Sequence, residues 1–126
     1  AFGQYDLPIP RSNTTSLLTE ERTLRLSALP ATFPRWTIDL FFESLGQIGP
    51  AAIGVILSGS GSDGAQGLNE IRARGGTTFA QEPSSAEAPQ MPKNALPFAD
   101  YCLAPPALGD ALMLTIGAKR KPDATP

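Results

Sequence analysis

The sequence predicts an α/β domain built on a mainly parallel sheet with helices on both faces. Three observations predict it. Apolar, β-branched runs alternate with stretches whose apolar residues recur at helical spacing, the order that parallel pairing with crossover helices requires. The run from Ile53 to Leu57 is apolar almost throughout, as a strand covered on both faces is. It passes into Ser58-Gly59-Ser60-Gly61-Ser62-Asp63-Gly64, a glycine-studded turn that opens a helix. Such a turn places its residues at the carboxyl edge of a strand, where open α/β sheets carry their chemistry.

Taken in order, residues 1–36 form a hairpin and loop region rich in Pro, Thr, Ser and Arg. The first ten, with Pro8 and Pro10, supply at most an edge strand. Residues 16–27 read as an antiparallel excursion turning at Glu20-Glu21-Arg22, and Pro30 and Pro34 mark a connecting loop. A helix begins at Ile38, because Ile38, Phe41, Phe42, Leu45 and Ile48 share one face. Thr37 is its expected N-cap, Trp36 and Phe41 its hydrophobic staple, and Gly49-Pro50 its stop. After the 53–57 strand, a helix over 64–74 turns Leu68 and Ile71 inward, pairs Glu70 with Arg74 and ends at Gly75-Gly76.

A short strand over 77–80 follows, then a loop with Pro83, Pro89 and Pro92 and a helical turn around 92–96. Residues 101–104 are the last strand. A closing helix over 105–116 aligns Leu108, Leu112 and Ile116. Residues 37–118 are thus the βα core, and 119–126 read as a disordered tail.

Composition removes several function classes. At 126 residues the chain is one domain, and its net charge of −2 argues against a general nucleic-acid surface. No stretch approaches the roughly 20 apolar residues of a membrane span. A single cysteine, Cys102, excludes an internal disulfide, fits a reducing, cytoplasmic setting, and reads as a small buried hydrophobe in its apolar run. There is no histidine, so a structural zinc site is not expected and no imidazole base is available to a serine or cysteine.

The glycine turn supports three readings. As a cap, Asp63 precedes a helix with Gln66 three positions on, a variant of the capping box. As a nucleotide site, Gly59, Gly61 and Gly64 satisfy G-x-G-x-x-G, with Glu82 near the end of the next strand as the ribose ligand. Against it, Asp63 sets a negative charge at the helix end that should receive a pyrophosphate.

The third reading is a resemblance. Ile38-Asp39-Leu40-Phe41-Phe42-Glu43-Ser44-Leu45 and the stretch from Ile53 to Leu68, continued by Gly75-Gly76, Ala80-Gln81 and Met91-Pro92-Lys93-Asn94-Ala95, resemble the CheB-type protein-glutamate methylesterases of bacterial chemotaxis. The resemblance implies the carboxyl-terminal part of a doubly wound sheet. It implies a serine–histidine–aspartate esterase acting on glutamate methyl esters of chemoreceptor helices, with glutamine deamidation in many members and no cofactor. It places the triad aspartate on Asp63 and the oxyanion loop on Ser60 and Gly61. Ser60 stands where the family usually has methionine. The family's serine and histidine lie upstream of the matched part, so this chain carries the orienting third of a triad and is expected to be inactive alone. Three functions therefore remain open: a methylesterase domain or fragment, a non-catalytic signalling scaffold, and, last, dinucleotide binding. A further expectation is that the edge of the strand from Ile53 to Leu57 self-associates or is covered by residues 1–27.

Overall fold

The computed structural model describes residues 14–19, 23–28 and 36–120. Strand β1 (Thr14–Leu18) pairs antiparallel with β2 (Leu24–Ala28), Leu18 opposite Leu24. The expected turn at 20–22 and edge strand in 1–10 lie outside the described residues. Helix α1 (Thr37–Gly46) leads through a 3₁₀ turn to β3 (Ile53–Ile56). Then come α2 (Ala65–Ala73), β4 (Thr77–Gln81), the short α3 (Gln90–Ala95), β5 (Tyr101–Leu103) and α4 (Pro105–Arg120). Strands β3, β4 and β5 form one parallel sheet in that order, with Ile53 opposite Thr77 and Phe79 opposite Tyr101.

The two faces of this sheet are covered unequally. Gly54, Ile56 and Ala80 share the face that meets α1, α2 and α3, where Phe42, Ile56, Leu68, Ile71, Ala80 and Ala95 form the core. The opposite face carries Phe79, fully buried and stacked on Tyr101 with ring centroids 5.2 Å apart. There α4 lies against β4 and β5 through a face that includes buried Leu108, yet it leaves Met113 and Leu114 exposed.

Several expectations shift. Lys119 and Arg120 belong to α4 rather than to a disordered tail; 121–126 lie outside the described residues. Cys102 is exposed, on β5, a three-residue strand at the edge of the sheet. Thr37 is already helical and Trp36 takes the N-cap position, one residue too late for a staple with Phe41; Trp36 is 40% exposed. The described β1–β2 hairpin, part of the 1–27 segment expected to cover β3, is not its ladder partner, and residues 1–13 of that segment lie outside the described residues. The hairpin docks on α1, where the Leu18 N–H donates to Ser44 Oγ at 2.8 Å. Among the described residues the outer edge of β3 has no ladder partner.

Helices α1 and α2 approach closely because Gly67 has no side chain. A Cβ there would stand 2.6 Å from Phe42 Cβ and 3.0 Å from the Asp39 backbone. Gly67→Ala should therefore destabilise by about 1–3 kcal/mol, overriding the helix propensity of alanine. Gly109 in α4 meets nothing within 4 Å, so Gly109→Ala should stabilise by roughly 0.5–1 kcal/mol. Urea denaturation reads both; two changes of the same sign would contradict the packing account.

Candidate functional site

Asp63 sits in the loop after β3 and does cap a helix, but not the one it precedes. Its Oδ2 accepts the Ile38 N–H and its Oδ1 the Asp39 N–H, each at 3.0 Å. These are donors of the first turn of α1, which has no partner inside its own helix. The start of α2 is satisfied from the other direction. Asp39 Oδ1 accepts the Gly64 N–H at 3.0 Å and the Gly67 N–H at 2.7 Å. Each carboxylate thus caps the other's helix. The capping box with Gln66 does not form, because Gly64 takes the N-cap position at φ 99° and turns the chain away from it. Only glycine fits there: a Cβ would also stand 2.6 Å from Ile56 Cδ1.

Asp39 is the buried member of the pair. Burial, its largest influence, pushes its carboxyl above the ordinary value of 3.8; the nearby Asp63 carboxylate adds to the rise, and the Gly67 and Gly64 amides oppose it.

A second set of bonds fixes the inner half of the loop. Gln81, buried at the end of β4, accepts the Ser58 N–H at 2.9 Å and donates to the Ser85 carbonyl at 3.1 Å. The Gly59 N–H donates to the Ala88 carbonyl, and the Met91 N–H to the Gly59 carbonyl, both at 2.9 Å. Of the two expected oxyanion-loop residues, Gly61 has its N–H engaged by Gln90 Oε1 at 3.1 Å. The Ser60 N–H has no hydrogen-bond partner among the described residues. Ser60, Gly61, Ser62 and Asp63 line an open pocket of about 280 Å³, and Trp36 completes it. From the sequence alone Trp36 reads only as a hydrophobic staple.

The structure removes the dinucleotide reading. The amides of Gly64 and Gly67 that would hold a pyrophosphate are already held by the Asp39 carboxylate. The glycine pattern has steric causes instead: Gly59 lies under Met91, and Gly61 and Gly64 have positive φ. The Glu82 carboxylate accepts the Ser84 hydroxyl at 2.6 Å.

Fold and edge loop together define an α/β protein with an open pocket at the carboxyl edge of a parallel sheet. Within that class, a family model described as CheB methylesterase matches residues 7–112, and the chain belongs to this family. The protein-glutamate methylesterase FrzG of Myxococcus xanthus is 44% identical over 90 residues, covering 70% of this chain and 27% of that protein. Protein-glutamate methylesterase/protein-glutamine glutaminase 3 of Pseudomonas aeruginosa is 42% identical over 86 residues, covering 67% of this chain and 26% of that one. The chain therefore spans only a quarter or so of the length of these relatives. The crystal structure of the Thermotoga maritima CheB methylesterase catalytic domain superposes with a TM-score of 0.68 at 23% identity. It covers 81% of this chain and is itself covered over 58% of its length, a likeness of fold.

The raised Asp39 carboxyl gives a signed expectation. The native state holds this proton more tightly than the unfolded chain, so ionising Asp39 opposes folding. That penalty is absent below 3.8 and develops as pH rises through the higher native value. Asparagine has no such proton to lose. The stability of Asp39→Asn relative to wild type should therefore improve between about pH 3.5 and pH 7. Chemical denaturation across that range reads it, and a difference that does not change with pH would contradict the assignment.

Proposed function

We propose that this chain supplies the orienting aspartate and the oxyanion loop of a protein-glutamate methylesterase site. The nucleophilic serine and the histidine would come from polypeptide outside these 126 residues, which contain no histidine. One observation carries the reading: Asp63 is held by two backbone amides, and Ser60, whose N–H has no partner among the described residues, lines the same pocket. A carboxylate offers about four lone-pair sites. Two amides occupy two of them, and the others remain for the N–H of an imidazole.

In that role Asp63 holds the imidazole in one tautomer and stabilises its charged form. The imidazole takes the serine proton as Oγ attacks the ester carbonyl, and the Ser60 N–H stabilises the resulting oxyanion. Collapse expels methanol, protonated by the imidazolium, and leaves an acyl-enzyme. Water, deprotonated by the imidazole, then releases glutamate. The same acyl transfer converts glutamine to glutamate with loss of ammonia. The substrates are methylated helices of chemoreceptors, and the setting is cytoplasmic. No helix among the described residues is long and apolar enough to cross a membrane.

A second reading, a non-catalytic signalling scaffold of the same family, would hold if no histidine joins Asp63 in the complete protein. One experiment separates the two. In the full-length protein, Asp63→Asn should lower demethylation of a methylated receptor on the order of 10⁴-fold, because the amide selects the wrong tautomer. The 126 residues alone should show no turnover above background. An Asn variant with full activity would reduce Asp63 to a helix cap, and a full-length protein without turnover would select the scaffold.

A further inference from the structure

The short helix α3 takes hold of the glycine loop at three successive peptide groups. The Met91 N–H donates to the Gly59 carbonyl at 2.9 Å, and the Gly61 N–H donates to Gln90 Oε1 at 3.1 Å. Asn94 Nδ2 donates to the Gly61 carbonyl at 3.2 Å. These bonds fall on the 59–60, 60–61 and 61–62 peptides in turn. Gln90 and Asn94 stand one helical turn apart on α3, so both side chains reach the same stretch of loop.

Packing adds little at the tip of that stretch. Ser60, Gly61 and Ser62 are exposed, Gly61 has φ 87°, and a Cβ on it would meet nothing within 4 Å. The helix itself is anchored: Pro92 and Ala95 are buried, and the Met91 side chain lies against Gly59. A planar trans peptide points its C=O and its N–H in opposite directions, and no peptide bond among the described residues is cis. Fastening the Gly59 carbonyl to Met91 therefore sets the direction of the Ser60 N–H. Fastening Gly61 by both its N–H and its carbonyl stops the chain just beyond Ser60 from rotating.

We propose that Gln90 and Asn94 are positioning residues for the ester hydrolysis: together they grip Gly61 by its N–H and its carbonyl, and so hold the Ser60 N–H in the direction in which it serves the oxyanion. This inference rests on the methylesterase reading above. Both side chains act through the backbone. A donor to an oxyanion works because it is aimed before the charge develops, so loosening it costs kcat and leaves substrate binding in place. The polarity of the grip is dictated by Gly61. Its N–H needs an acceptor and its carbonyl needs a donor, so Gln90 must accept and Asn94 must donate.

The test measures demethylation of a methylated receptor by the full-length protein. Gln90→Ala and Asn94→Ala should each lower kcat about tenfold and leave KM within about twofold, less than the roughly 10²–10³-fold loss when an oxyanion donor is removed outright. Two amide-to-acid changes separate positioning from charge. Gln90→Glu keeps an acceptor for the Gly61 N–H and should hold kcat within about threefold of the unsubstituted protein, whereas Asn94→Asp loses its donor and should fall at least as far as Asn94→Ala. Both add one negative charge to the same helix, so charge alone would give equal losses. Equal losses, an unchanged kcat in the alanine variants, or a loss confined to KM would overturn the proposal. Amide exchange at Gly61 supplies a readout free of turnover: it should quicken in Gln90→Ala and not in Gln90→Glu. Exchange unchanged in both would overturn the grip itself. Failure of the methylesterase reading looks different. Asp63→Asn would then keep full turnover, or the full-length protein would show none, while Gly61 exchange still responded to Gln90→Ala; the positioning role would fall with that reading.

Discussion

Two carboxylates, each capping the helix that carries or follows the other, tie α1 and α2 together at the carboxyl edge of the sheet. Asp63 takes the first amides of α1 and Asp39 takes those of α2. Hydrogen bonds to charged groups contribute about 1.5–3 kcal/mol each, more than neutral ones. Both helix ends also present the positive pole of their dipoles to the anion they receive. Against this stands the closeness of two negative groups and the burial of Asp39, which together push its carboxyl upward. The arrangement persists because four orphan amides and two dipoles converge on the pair.

Everything around the pair serves its geometry. Gly67 lets α1 and α2 come close enough for Asp39 to reach across, and Gly64 turns the chain so that Asp63 points to α1. Gln81 and the 88–91 segment fasten the inner loop to the end of β4, and Ser60 and Asp63 line one pocket. The loop is thereby tied to α1, α2 and the end of β4, which fixes the position of its residues.

Much of this fold was legible in the residues themselves. The apolar run of β3 and the 3.6-residue period of α1 and α2 report burial directly, and parallel pairing follows from their alternation. The Glu70–Arg74 pair also forms, with 3.8 Å between its charged atoms. What stayed hidden depends on partners far along the chain. Asp63 looks like a cap for the helix beside it, yet its partners lie 24 and 25 residues away. Asp39 looks like an acidic residue in the first turn of an amphipathic helix, and nothing local reveals that it closes α2. Cys102 reads as buried because its neighbours are apolar, whereas it lies exposed on an edge strand. Trp36 reads as a staple when the helix start is placed one residue late. In each case the local pattern was sound and tertiary placement decided the outcome.

The central claim is that Asp39 and Asp63 act as one unit. Amide hydrogen exchange in Asp63→Ala tests it most directly. Loss of Asp63 frees the Ile38 and Asp39 amides, and the account predicts that protection at Gly67, held only through Asp39, falls with them. Fast exchange at Ile38 and Asp39 with undiminished protection at Gly67 would contradict it, and would reduce the pair to two independent caps.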